Sequence, residues 1–556
     1  MFRLVLFVVT VLLVGTPAYA QDKTAEIDKI FSWATTATPG CAVAVSQHGK
    51  LIVNRAYGSA ELEHDVAFSP GTISEPGSIA KQFTAAAVLL LVEEGRLSLS
   101  EDIRKYIPEL PDYGHKITVD HLLTHTSGIR DWGPLVAQAG APRRRTVYGN
   151  RDALYVILRQ RGLNFAPGEE FSYSNSGYAL LVEIIARTSG MSFVEYTRKR
   201  LFEPLGMKKT DWRTDYRDIV KNRALAYEKE GDNWKLAMPL ENYVGGGGLL
   251  STTGDLLIWN DALTSGRLGA FVTEKLQEPA RLNNGRQIKY ARGLIVDSYR
   301  GVKEVWHSGN AAGYHSWLSR YPAQALSIAV LCNLGSVTAT SLAHSVIDQF
   351  LPATGAGEAK TPATPAGDTG AAGLDVSGRA GLFVSERNGE PLLLTANNGK
   401  LQIVGGDPLV AVTKDRFRNP RGDLFFMSQD EFELNFLSPD EFELKSMEGQ
   451  TTRYRRARPY APTPVELQAF AGRYESDEIG SDYQLTVKEN GLVMSLKHSP
   501  LGGAEFKPVY RDTFQRGRQT VRFLRDKAGK VLGFDLSNPV IRNLRFTRLR
   551  DPNSQH

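Results

Sequence analysis

At 556 residues the chain is too long for one ordinary hydrophobic core, and two or three domains are expected. Its 66 basic and 61 acidic residues leave a net charge of +5 with no Lys/Arg stripe. The densest cluster, Arg143-Arg144-Arg145, suits a solvated loop better than a nucleic-acid contact. Residues 1–20, with Arg3, the apolar run Leu4 to Val14 and the ending Ala18-Tyr19-Ala20, have the pattern of a cleaved secretory signal. The run is too short to span a bilayer, and Gln21 offers no lipid anchor. The mature chain, from about residue 21, is therefore expected in the periplasm or outside the cell.

In chain order, residues 24–36 predict a short amphipathic helix, and 41–47 and 51–58 two strands turned by His48-Gly49-Lys50. Glu75-Pro76-Gly77-Ser78-Ile79-Ala80-Lys81 then opens a helix in which Phe83, Ala86, Ala87, Leu90 and Leu91 recur at helical spacing. This puts Ser78 in the first turn, with Lys81 three residues on and on the same face. A serine hydroxyl needs a base to become a nucleophile, and an ammonium serves only if its pKa is lowered from about 10.4. The first turn also leaves backbone N–H groups free for a developing oxyanion.

A mainly helical region runs to about residue 265. Strand-like runs return at 292–299, 302–308, 314–321 and 326–333, and a helix with Leu342, Val346, Ile347 and Phe350 closes the unit. Strands at both ends with helices between predict an α+β domain: one sheet flanked by helices, an inserted helical half, and a cleft between them. The only cysteines, Cys41 and Cys332, fall in two of these strands. Antiparallel pairing would set them side by side, as a disulfide or as two buried thiols. The helical half contributes Gly168-Glu169-Glu170-Phe171-Ser172-Tyr173-Ser174-Asn175-Ser176-Gly177, a polar turn before a helix from Tyr178 to Arg187 that stops at Gly190. The late strands contribute Trp306-His307-Ser308-Gly309-Asn310, where Gly309 would let a substrate lie against the strand.

Ser-x-x-Lys, Tyr-x-Asn and His-x-Gly, in this order, resemble the serine β-lactamase and penicillin-binding superfamily, in the branch of class C β-lactamases, D,D-peptidases, D-aminopeptidases and related esterases. The resemblance covers residues 25–351 and includes the scaffold segments Leu122–Gly128, Pro204–Met207 and Gly247–Thr252. It implies that Ser78 is acylated, Lys81 and Tyr173 share proton transfer, and Asn175 orients the substrate amide. His307, Ser308 and Gly309 would form the substrate strand, with the oxyanion held by the backbone N–H groups of Ser78 and Asn310. Lysine and tyrosine both titrate near pH 10 in water, so the pair works as phenolate beside ammonium or with both groups neutral. Where class C β-lactamases carry Lys-Thr-Gly this chain has His-Ser-Gly, which disfavours dedicated β-lactam hydrolysis.

Three other features are read as structural. His121 and His125 lack the Glu and third ligand of a zinc site. Gly245 to Gly248 lacks the Lys-Ser/Thr of a phosphate loop and suits close backbone approach beside the cleft. Glu169 and Glu170 suit a solvated loop. Residues 352–375, rich in Pro, Ala, Gly and Thr, are a linker. Beyond it, landmarks repeat with a period of about ninety residues: Ala380-Gly381-Leu382-Phe383 and Ala471-Gly472-Arg473-Tyr474, Asn398-Gly399 and Asn490-Gly491, Asp415-Arg416-Phe417 and Asp512-Thr513-Phe514. Two small antiparallel β-barrels are predicted, at 376–460 and 461–556, each with an Asn-Gly hairpin. The insertion at 498–505 is either a plain hairpin extension or, as the resemblance to D-aminopeptidases implies, a loop reaching the active site.

The sequence thus predicts a secreted serine hydrolase, without metal or other cofactor, acting through an acyl-enzyme on peptide-like or peptidoglycan-derived substrates, D-amino-acid peptides foremost. The alternatives are an esterase or weak β-lactamase of the same family, and a penicillin sensor or wall-binding protein that acylates without turnover. Neither nucleic acid nor a membrane anchor after signal cleavage is expected.

Overall fold

The computed structural model describes residues 18–143, 145–351, 375–404, 408–419, 432–446, 450–497 and 502–550. One antiparallel sheet organises residues 18–351. Its strands, numbered along the chain, are β1 (Cys41–Gln47), β2 (Lys50–Tyr57), β3 (Ile295–Tyr299), β4 (Val302–Ala311), β5 (Tyr314–Tyr321) and β6 (Leu326–Cys332), and their spatial order is β3-β4-β5-β6-β1-β2. The sheet is assembled from the two ends of this unit, because β1 pairs with β6 across almost 300 residues. The register sets Cys41 opposite Cys332, and a disulfide joins them.

Strands β1 and β6 are buried on both faces, which is why they read as apolar runs and not as alternating ones. Val43, Val45, Ile328 and Val330 face α1 (Ala18–Ile30) and the closing helix Ala339–Ile347. Ala44, Ala329 and Leu331 face a larger core containing α2 (Lys81–Glu93) and the helix Thr253–Ser265. The helical half also contributes α3 (Trp132–Gln138) and α4 (Asn175–Ser189). Helix α4 begins three residues before the predicted start, with Ser174 as its N-cap, and ends as expected at Gly190, whose φ is +71°.

Two eight-stranded units follow. In the first, from Gly381–Ser385 to Thr451–Arg456, the ends of the sheet approach through a bridge between Gln402 and Pro408. The second closes completely, Gly472–Ser476 pairing with Ile541–Arg548. The first hairpin turns on Asn398-Gly399 as predicted, both at positive φ. In the second copy the turn is Glu489-Asn490, and Gly491 is the first strand residue instead. The reason is packing: a Cβ on Gly491 would stand 2.6 Å from the carbonyl oxygen of Phe506 on the next strand. Residues 498–501 of the predicted insertion lie outside the described residues, as does Arg144; Gly502 and Gly503 lead into the strand Ala504–Tyr510.

The closed barrel docks on the helical half. Arg130 forms a buried ion pair with Glu478 at 2.6 Å and donates to the carbonyls of Arg542 and Asn543. Glu170 corrects its prediction as a solvated side chain: it is 2% exposed and accepts two hydrogen bonds of 3.0 Å from Arg542 and an ion pair from Arg387. Burying that carboxylate is tolerable because two guanidinium groups, one from each barrel, compensate it. Arg143 is likewise no free surface charge, pairing with both Glu241 oxygens at 2.8 and 2.7 Å and stacking on Trp132.

Candidate active site

Two backbones cross where the site forms. A Cβ on Gly309 of β4 would stand 1.9 Å from the carbonyl oxygen of Pro76, and one on Gly77 2.6 Å from the amide nitrogen of Asn310. Gly309 is therefore a glycine because Pro76 lies against it, not to admit substrate as its position on the strand suggested. Gly77 also adopts φ +52°, which favours glycine. Ser316 of β5 locks the crossing by donating to the Pro76 carbonyl at 2.9 Å. The 3₁₀ turn Gly77–Ala80 is thus held against β4, and it runs directly into α2, so that Ser78 is 6% exposed and Lys81 fully buried.

Lys81 Nζ lies 3.1 Å from Ser78 Oγ, 2.9 Å from Asn175 Oδ1 and 2.7 Å from the carbonyl oxygen of Gly246. Burial pushes the Lys81 ammonium well below its ordinary pKa; the Asp131 carboxylate opposes that shift and the Arg143 guanidinium adds to it. Tyr173 is also buried, and its phenol is pushed well above its ordinary value, chiefly by burial, with the neighbouring Ser78 hydroxyl opposing that shift. Its ring lies 4.8 Å from Lys81 Nζ. Both shifts favour the uncharged forms, so of the two arrangements open from sequence the structure favours neutral amine beside neutral phenol.

The site is backed by a string of hydrogen bonds. The Ser174 amide donates to His125 Nδ1 at 3.1 Å, so a neutral His125 carries its proton on Nε2, 3.1 Å from the Tyr290 hydroxyl. Tyr290 lies in turn 3.2 Å from His307 Nε2, while His307 Nδ1 faces the Ser308 carbonyl oxygen at 2.5 Å and must donate to it. Burial holds His307 neutral, down to about 3, and pushes His125 in the same direction. His307 Nε2 is then an acceptor facing the Tyr290 hydroxyl, which also neighbours Tyr178. His307 thus departs from its predicted place against the substrate: it is fully buried and ties the Tyr173 loop to β4. Ser308 is part-exposed and Asn310 exposed, so these two remain on the accessible side of the strand.

The glycine run does approach closely. Gly246 accepts from Lys81, Gly245 accepts from Thr84 Oγ1 at 2.8 Å, and the Gly248 amide donates to the buried Glu75 at 3.2 Å. His121 is occupied in a capping box with Thr118 and His125 in the string above. Sequence reasoning placed the Gly245–Gly248 run beside the cleft but missed Asp131, Tyr243 and Tyr290. Only Asp131 had a signal in reach, standing three residues beyond the scaffold segment ending at Gly128.

A sheet closed by helices on both faces, with Ser78, Lys81 and Tyr173 gathered where the helical half meets β4, defines an enzyme of the serine-hydrolase class. The family model described as beta-lactamase matches residues 27–349, and the chain belongs to that family. It is 31% identical over 302 residues to penicillin-binding protein 4* of Bacillus subtilis, a match spanning 50% of this chain and 64% of that protein. To a D-aminopeptidase of Brucella canis it is 24% identical over 532 residues, 92% of this chain and 96% of the relative. Among solved structures, an octameric penicillin-binding protein homologue from Pyrococcus abyssi superposes with a TM-score of 0.52 at 21% identity, over 86% of this chain and 98% of that one. A D-stereospecific amidohydrolase from Streptomyces sp. gives 0.51 at 22% identity over 59% and 98%.

Proposed function

We propose that this chain hydrolyses amide bonds of D-amino-acid peptides through an acyl-enzyme on Ser78. The observation that carries the chemistry is the set of three polar contacts around Lys81 Nζ, two of them to groups that can only accept. Asn175 Oδ1 and the Gly246 carbonyl can only accept, so a neutral amine donates both its N–H bonds to them and turns its lone pair to the Ser78 proton. Lys81 is then the base for attack, and Tyr173, beside the same hydroxyl, passes the proton to the leaving amine and later takes one from the deacylating water. The oxyanion is held by the backbone N–H groups of Ser78 and Asn310, which the Gly77–Asn310 contact brings together. The D-amino-acid substrate class is supported by the D-aminopeptidase likeness, which extends through both barrels. A signal-like N-terminus and a disulfide at Cys41–Cys332 support export to an oxidising compartment.

The test is a panel of D-aminoacyl and L-aminoacyl p-nitroanilides, D-Ala-D-Ala peptides, short acyl esters and a cephalosporin, read as steady-state turnover after any burst. Preference for D-aminoacyl substrates with loss of turnover in Ser78→Ala is expected. A burst without turnover on every substrate would contradict the peptidase reading.

A further inference from the structure

The orientation of the Asn175 amide is imposed from one side. Asp131 Oδ2 accepts from the Asn175 backbone amide at 2.5 Å and from its side-chain Nδ2 at 3.0 Å, which leaves Oδ1 as the atom facing Lys81. Asp131 is 4% exposed, and its other oxygen caps α3 through the Gly133 amide at 2.9 Å. Its neighbours are pinned as firmly. The Arg130 carbonyl accepts from Ser176 Oγ at 2.7 Å, and the Trp132 amide donates to the same hydroxyl at 2.8 Å, so residues 130–132 are stitched to the first turn of α4. On the far side Arg130 Nη1 meets Glu478 of the closed barrel at 2.6 Å, both side chains buried. A continuous path thus runs from Glu478 through its ion pair with Arg130, along the backbone to Asp131, and by hydrogen bonds through Asn175 to Lys81.

We propose that Asp131 is a positioning residue that holds the Asn175 amide oxygen toward Lys81, and that the Glu478–Arg130 pair uses the docked second barrel to fix the strap on which Asp131 stands. The proposal rests on Ser78 being the nucleophile, and it adds an electrostatic consequence. The groups facing Lys81 are Asp131 and Arg143, the rings of Tyr173 and Tyr178, and, further back, His125 and His307 with Tyr290 between them. Tyr243 lies beyond Asn175, donating to its carbonyl at 3.0 Å. Asp131 is the carboxylate among these groups, and it favours the ammonium form. Neutralising it lets the amine lose its proton at lower pH.

A fluorophosphonate probe tests this without assuming a substrate: Ser78 Oγ bonds to phosphorus, fluoride leaves, and the serine proton passes to the base. In the full chain, Asp131→Asn is expected to slow labelling at least tenfold and to move the acid limb of the rate–pH profile down by about one unit. Asp131→Glu, which keeps the charge but displaces it, is expected to slow labelling without moving the limb. Glu478→Gln should slow labelling at every pH, again with the limb in place, in protein whose melting shows it folded. Wild-type rate and limb in folded Asp131→Asn would overturn the role of Asp131, and a wild-type rate in Glu478→Gln would overturn the barrel's part in it. If the wild type itself is not labelled at Ser78, the hydrolase reading fails and this proposal with it; labelling that is indifferent to Asp131 defeats the proposal alone.

Discussion

Ser78 and Lys81 were legible as a pair because three residues on a helix put two side chains on one face, a matter of local geometry. Tyr173, Asn175 and the Gly245–Gly248 run were legible as neighbours from their motifs, whereas Asp131, which orients Asn175, and Tyr290, which links His125 to His307, come into place only through tertiary folding. His307 shows the difference well: its place in a motif was plain, and its burial was not. That burial has a measurable consequence. A histidine whose folded pKa is depressed to about 3 from 6.5 contributes stability that is fully present above pH 6.5 and is lost as pH falls toward 3. Over that window about 5 kcal/mol of unfolding free energy is at stake for this group, with His125 acting in the same direction. Urea unfolding at a series of pH values should show stability falling below pH 6.5, and His307→Gln should flatten the slope. A slope unchanged in the variant would mean that the ring is not held neutral. At the same scale, Tyr173→Phe should keep Ser78 labelling within about tenfold while turnover falls by about 10² to 10⁴; kcat near the wild-type value would remove Tyr173 from proton transfer.

The sheet strands were readable at the scale of elements because apolar runs bounded by turns define them, and the Cys41–Cys332 register follows from antiparallel pairing of β1 with β6. The start of α4 was misplaced by three residues because Asn175 and Ser176 are polar and carry no apolar period, although their hydrogen bonds to the Asp131 strap are what the helix start serves. The disulfide ties together the sheet's two halves across a long loop, so replacing both cysteines by alanine should cost about 2–5 kcal/mol in denaturant unfolding; an unchanged midpoint would show that the sheet does not depend on it. At the strand crossing, Gly309→Ala drives a methyl into the Pro76 carbonyl, whereas Gly49, in an exposed hairpin at φ +71° with open space around it, meets only conformational strain. Melting temperatures should therefore fall much further for Gly309→Ala than for Gly49→Ala, which is expected to cost about 1 kcal/mol. Equal shifts would contradict the crossing.

For the whole molecule, the repeat announced two barrels, and the structure shows what the repeat preserves. Arg456 and Arg548, on the last strand of each copy, donate to the carbonyls of Ala380 and Ala471 and stack on Phe383 and Tyr474. Gly381 and Gly472 stand at φ +141° and +144° beside those guanidinium groups. The docking of the barrels was not legible, because a buried Glu170 and a solvated one look alike in sequence. Removing its charge leaves Arg542 and Arg387 without their shared partner, so Glu170→Gln should cost about 3–5 kcal/mol and expose the inter-unit segments to limited proteolysis. Wild-type resistance would show that the junction is held by other contacts.

The reactive oxygen on Ser78 is the central claim, and intact-protein mass spectrometry after exposure to a fluorophosphonate tests it most directly. A single adduct in the wild type, mapped to Ser78, absent in Ser78→Ala and strongly slowed in Lys81→Met, is the predicted result. An adduct of equal yield in Ser78→Ala, or on any other residue, would contradict it.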